Sequence, residues 1–137
     1  MEVNLVAVLV ATIAMFAAGA VWYTAVFGKL WAKIHGFDKL SKKEQDAMAK
    51  TMGPTYGAQL VVTFVSAFVL ASLIALLPDQ SPYYIAFLVW IGFAVPSDVS
   101  AQLFGGAPKG YEWHKIVIAA GELLLRLMIA AFVISLF

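Results

Sequence analysis

The sequence predicts an all-α integral membrane protein: four transmembrane helices, with an amphipathic surface helix in the first cytoplasmic loop. Three observations carry that prediction. Four apolar runs, near residues 4–27, 56–77, 83–104 and 114–136, are each about twenty residues long, the length needed to cross a bilayer as a helix. The chain is 63% hydrophobic and 12% charged, whereas the surface of a soluble domain carries roughly a quarter or more charged residues. Lysines crowd two of the connections and are missing from the third. The spans and one long loop use up the whole length, which leaves a single membrane domain and no separate soluble catalytic unit.

Span one holds no formal charge from Leu5 to Phe27 and ends in Trp22 and Tyr23, before Gly28 and Lys29. Aromatic rings followed by a lysine mark an exit through the interface. A cleaved signal peptide is not expected, because Met1-Glu2-Val3-Asn4 is not basic and the apolar core exceeds the 7–15 residues typical of such signals. Ala7, Ala11, Ala14, Met15, Ala18 and Gly19 form stripes of mostly small residues at near-helical spacing, which let neighbouring helices approach closely.

The long loop has its own pattern. Lys29 to Ile34 continues out of the membrane until Gly36, and Phe37 to Leu40 makes a turn. Ser41 with Glu44 three residues on is a capping box, so a helix is expected over residues 42–52, lying at the membrane surface on Leu40, Ala47, Met48 and Met52. Gly53-Pro54 is read as a break before span two. Span two carries one strongly polar residue, Gln59, and a stripe of Ala67, Ala71 and Ala75. The link Pro78 to Pro82 is too short for anything but an antiparallel pair of spans two and three.

Span three begins at Tyr83 and Tyr84. Pro96 removes a helix hydrogen bond and crowds the carbonyl of Gly92, so a bend is expected there. Beyond it stand Ser97, Asp98, Ser100 and Gln102, the densest polar group inside any span. Residues 105–110 read as a flexible, irregular connection, and span four then carries Glu122 and Arg126.

Lys29, Lys33, Lys39, Lys42, Lys43 and Lys50 lie in the loop after span one, and Lys109 and Lys115 in the loop after span three. The link after span two and both ends of the chain have none. Basic residues beside a membrane stay in the cytoplasm. The expected location is therefore a cytoplasmic membrane, with both loops inside and both termini outside.

In that topology Asp98, Glu122, Arg126, Gln59, Gln102, Tyr23 and Trp22 all fall in the cytoplasmic half of the spans, as candidates for a ligand or ion pathway. A charge at the bilayer centre costs about 2.5–3.5 kcal/mol on insertion scales, so these groups are expected to face one another. Glu122 and Arg126 are four apart, the favourable order for a pair within one helix. Arg126 is expected to bridge Glu122 and to reach Asp98, since one guanidinium serves two carboxylates. Two roles stay open for that layer: fixing helix register, or relaying protons or ions or anchoring a charged solute. With no basic neighbour in its own helix, Asp98 is expected to be protonated or hydrated if Arg126 keeps to Glu122.

Other chemistry has little support. The chain has no cysteine, which excludes disulfides and thiol catalysis. His35 and His114 sit in different loops, and no metal or other cofactor is expected. A net charge of +1 does not suggest nucleic acid. The partners expected are the lipid bilayer and either further copies of the chain or another membrane protein. An oligomeric permeation protein comes first among the functions. A structural or partner-binding membrane protein is the alternative. An enzyme acting on an apolar substrate is third, because no assembled nucleophile is visible.

The run Gly19-Ala20-Val21-Trp22-Tyr23-Thr24-Ala25-Val26-Phe27-Gly28-Lys29-Leu30-Trp31 resembles the opening signature of a small bacterial four-span membrane-protein family catalogued as domain of unknown function 1761. Gly92-Phe93 and the stretch from Trp113 to Leu127 are similar to it as well. The resemblance implies four spans, supplies no catalytic residue, and singles out Trp22, Tyr23, Phe27, Gly28, Lys29 and Trp31. A faint echo also links Val21-Trp22 with Val89-Trp90, as two parallel two-helix halves would produce.

Overall fold

The computed structural model describes residues 2–105 and 108–137. Among them four helices are long and apolar enough to cross a membrane: Leu5–Val26, Gly53–Leu76, Pro82–Gly105 and Glu112–Ser135, here spans one to four. Of the irregular connection expected at 105–110, Gly106 and Ala107 lie outside the described residues.

Span one starts as α1 (Leu5–Val21), where the Asn4 side chain accepts from the amides of Val6 and Ala7 at 3.0 and 3.2 Å. Those two N–H groups would otherwise have no partner in the first turn. Span one continues through a widened π turn at Trp22–Val26, and α2 (Gly28–Ile34) follows. Gly36 then stops the chain with φ 70°, a left-handed conformation that glycine adopts without strain. A short 3-10 turn at Phe37–Lys39 leads into α3 (Lys42–Lys50), which the reciprocal Ser41–Glu44 box caps as its sequence predicts.

The helical run breaks before span two at Thr51 and Met52, and Gly53 and Pro54 open the next helix rather than end the last one. They form the first turn of α4 (Gly53–Leu76), where proline's missing N–H has no helical partner to lose. Span three comprises α5 (Pro82–Val89), a second π turn at Trp90–Ala94, and α6 (Val95–Gly105). At Pro96, where a bend is predicted, the helix has widened just beforehand, with the Val95 amide donating to the Trp90 carbonyl five residues back. Span four is the continuous α7 (Glu112–Ser135).

Span four is the hub: it packs on all three other spans, while span one also packs along span two. The core is lined by small residues where backbones meet. Ala7 and Ala11 of span one, Ala67 and Ala71 of span two, Ala86 of span three, and Ala130 and Ala131 of span four are all buried. Val8, Met15, Leu70, Ile85 and Leu127 fill the space between them. The outer faces carry the large apolar side chains instead, such as Ile13, Val61, Val65 and Phe93, all exposed. Small residues inside and large apolar residues outside suit a bundle whose solvent is lipid. Span three is the most loosely held, since no residue of α6 is buried.

Candidate functional site: an ion pair at the floor of a recess

Glu122 and Arg126 lie one turn apart on the inward face of span four, with Arg126 Nε 2.5 Å from Glu122 Oε1. The contact is close, and among the described residues Nε has no other partner. Span two completes the group. Arg126 Nη1 donates to Thr63 Oγ1 at 3.4 Å, and the Thr63 hydroxyl donates in turn to the Gln59 carbonyl at 2.6 Å. Donating its proton backwards leaves the hydroxyl lone pairs facing the guanidinium. The Gln59 side-chain amide also donates to Thr63 Oγ1, at 3.4 Å.

Span one supplies the space. A methyl group built on Gly19 would stand 2.8 Å from Glu122 Oε1, so the carboxylate rests against bare backbone there. The fit is reciprocal, because a methyl on Gly121 would meet the Trp22 ring at 3.0 Å. Trp22 donates its indole N–H to the Ile118 carbonyl at 3.0 Å, and Trp90 of span three donates to the Ala120 carbonyl at 2.7 Å. Both tryptophans open a π turn. Span four is thus gripped on two sides just before Glu122, which fixes where that carboxylate sits. Both members of the Val21-Trp22 and Val89-Trp90 echo have the same local conformation, but both bind span four, so the pair is not arranged as two equivalent halves.

The other candidates divide. Tyr23 packs its ring on Trp31, centroids 4.8 Å apart, and Trp31 receives Lys115 Nζ at 5.7 Å over its face, tying α2 to the start of span four. Asp98 lies within electrostatic range of Glu122 and Arg126 but forms no ion pair with the guanidinium among the described residues, and its Oδ2 is buried without a hydrogen bond. The expected bridge from Arg126 to both carboxylates is therefore not formed: Glu122 and Thr63 take the guanidinium. Gln102 is half-buried on α6 and makes no hydrogen bond to the group among the described residues. Sequence reasoning overlooked Thr63, Gly19, Gly121 and Trp90. Of these, Thr63 was within reach, standing one turn after Gln59 on the same face.

A recess of about 570 Å³ opens between spans one and two onto this group. Its floor is Met15, Gly19, Glu122 and Arg126, and its rim includes the exposed Ala20, Thr24, Tyr56 and Gln59. Phe16 meets Tyr56 edge-on at 6.5 Å, and Tyr23 forms part of the wall. The recess does not reach Asp98. Among the described residues, no three His, Cys, Asp or Glu side chains are grouped as a metal site would require.

Residues 6–135 match the family described as protein of unknown function (DUF1761). The chain belongs to that family. No curated protein and no solved structure matches it. Membership in DUF1761 thus agrees with a small multi-span membrane protein, and any account of what this DUF1761 protein does rests on its own side chains.

Proposed function

We propose that the protein permits passage of a small solute or of protons across a bacterial cytoplasmic membrane, working as an oligomer. In this reading the lysine-rich loops face the cytoplasm and both termini face away from it, which the lysine distribution supports. The observation that carries this reading is the recess, which leads from a rim of exposed residues to an intramembrane acid and base. Ionisable groups inside a span are costly and usually mark a pathway or a relay. Glu122 and Arg126 form the working floor, Gln59 and Tyr23 line the approach, and Trp22 positions span four. Asp98 and Gln102 extend the polar layer into span three.

The competing reading is a structural or partner-binding protein, favoured by the Arg126 contacts to Glu122 and Thr63, which knit spans two and four together. Proteoliposomes separate the two. With a pH-sensitive dye inside and an acid pulse outside, vesicles holding the protein are expected to acidify faster than empty ones, and those holding Glu122→Gln to lose most of that gain. If proton flux and the flux of small solutes match empty vesicles, while a specific membrane protein co-purifies, the structural reading prevails.

A further inference from the structure

The guanidinium at the floor of the recess is under-used. An arginine offers five N–H donors. Here, among the described residues, Nε rests against Glu122 and Nη1 makes one long hydrogen bond, to Thr63. A buried donor set of this kind favours a planar or tetrahedral anion, which a guanidinium binds through two parallel N–H bonds. The lining of the recess is otherwise mainly apolar, with Met15 beside the pair on the floor, Phe16 on the wall and Ala20 and the ring of Tyr56 towards the rim, and its size is in the range of small-molecule sites. Residues 28–55, of which Thr55 lines the recess, carry more lysines than acids, which raises the local concentration of anions. An apolar shaft ending at an incompletely bonded cation describes the complement of an anionic amphiphile.

One feature opposes such a ligand: the carboxylate of Glu122 already occupies one side of Arg126. We propose that Glu122 is a built-in stand-in for the ligand, and that the recess binds a carboxylate- or phosphate-headed amphiphile whose anionic group takes over Arg126 while Glu122 takes up one proton. The exchange balances: one anion and one proton enter together, and the charge of the layer is unchanged. The groups facing Glu122 are Arg126 on its own span, Tyr23 from span one and Asp98 from span three, with Thr63 and Gln59 of span two bonded around the guanidinium. This inference rests on the recess being a working site and names what it takes.

The test is equilibrium binding to the whole chain in phosphatidylcholine nanodiscs, with empty discs subtracted. The probes are octanoate, octyl phosphate and octyltrimethylammonium, each at pH 6 and pH 8. At least one anion is expected to bind, more tightly at pH 6, and the cation not to bind. Glu122→Gln removes the stand-in and is expected to tighten anion binding at pH 8 by about tenfold, the equivalent of one charge-assisted hydrogen bond, and to flatten the pH dependence. The double variant Glu122→Gln/Arg126→Gln, which leaves no buried unpaired charge, is expected to fold and to bind no anion. Octanoate binding alone points to a free carboxylate. Octyl phosphate binding that is lost when phosphatidylglycerol replaces phosphatidylcholine points to a membrane phospholipid. Preference for the cation, weaker anion binding by Glu122→Gln, or equal binding by the double variant would each overturn the proposal. Absence of binding by every probe overturns it too, while faster acidification of proteoliposomes would leave the permeation reading standing.

Discussion

Arg126→Gln is expected to destabilise the protein by about 3–5 kcal/mol, more than any other single change in the polar layer. The size follows from what is left behind. Glu122 is 4% exposed and Arg126 is the cation it contacts, so removing Arg126 leaves a buried carboxylate without its counter-ion. Thr63 loses one of its two donors at the same time and keeps the Gln59 amide. Glu122→Gln is expected to cost less, because Arg126 keeps Thr63 and the glutamine amide oxygen can still accept from it. The double substitution replaces both charges and is expected to recover part of the loss, with a coupling of about 2 kcal/mol between the two sites. Denaturant titration of the purified variants in detergent, followed by helical circular dichroism, measures all three. Equal and additive losses would mean that the pair contributes nothing as a pair.

The second large effect is expected at the contact between spans one and four. Trp22→Ala removes a ring seated on Gly121 and the donor to the Ile118 carbonyl, at a cost of about 3 kcal/mol, the lower end for such truncations because Trp22 is half-buried. Trp22→Phe keeps most of the ring and loses the hydrogen bond, for about 1 kcal/mol. Gly121→Ala attacks the same contact from the other side, since the added methyl meets the ring at 3.0 Å, and overpacking of this kind costs about 1–3 kcal/mol. The informative comparison is Gly121→Ala in the Trp22→Ala background. With the ring gone the methyl has room, so the penalty is expected to vanish or reverse. The same denaturant titration reads it, and an unchanged penalty would place the strain elsewhere.

The fold was legible because lipid makes unusual demands on a sequence. A crossing helix must be long and apolar, so the four runs stand out, and aromatic residues and lysines mark where they stop. The Ser41–Glu44 cap was legible because its two hydrogen bonds join side chains to backbone three residues away. The pairing of Glu122 with Arg126 was legible for a similar local reason. What the sequence hid was set by contacts between distant segments. Nothing near Trp22 or Trp90 says that its indole will bond to span four, at Ile118 and Ala120 respectively, and the π turns that both open carry no proline of their own. Gly19 reads as one more small residue in a stripe, although its lack of a side chain is what admits the carboxylate of Glu122. Arg126 was expected to reach Asp98 as well, and the hydroxyl of Thr63 is what it meets instead. Gly53-Pro54 read as a break because proline interrupts a helix interior, whereas at a first turn it is an acceptable beginning.

Water access to the recess tests the whole account most directly, and the lack of cysteine in the chain makes the measurement clean. Single cysteines are introduced by Ala20→Cys and Gln59→Cys at the rim, and by Val61→Cys and Val65→Cys on the outer face of span two. Each variant is treated in membranes with a charged, water-soluble thiol reagent. The two rim positions are expected to react readily and the two outer positions to stay unmodified, although all four are exposed on the isolated chain. Equal inertness at all four would show that no hydrated path leads to Glu122 and Arg126, and a buried polar floor without such a path would be a structural pair alone.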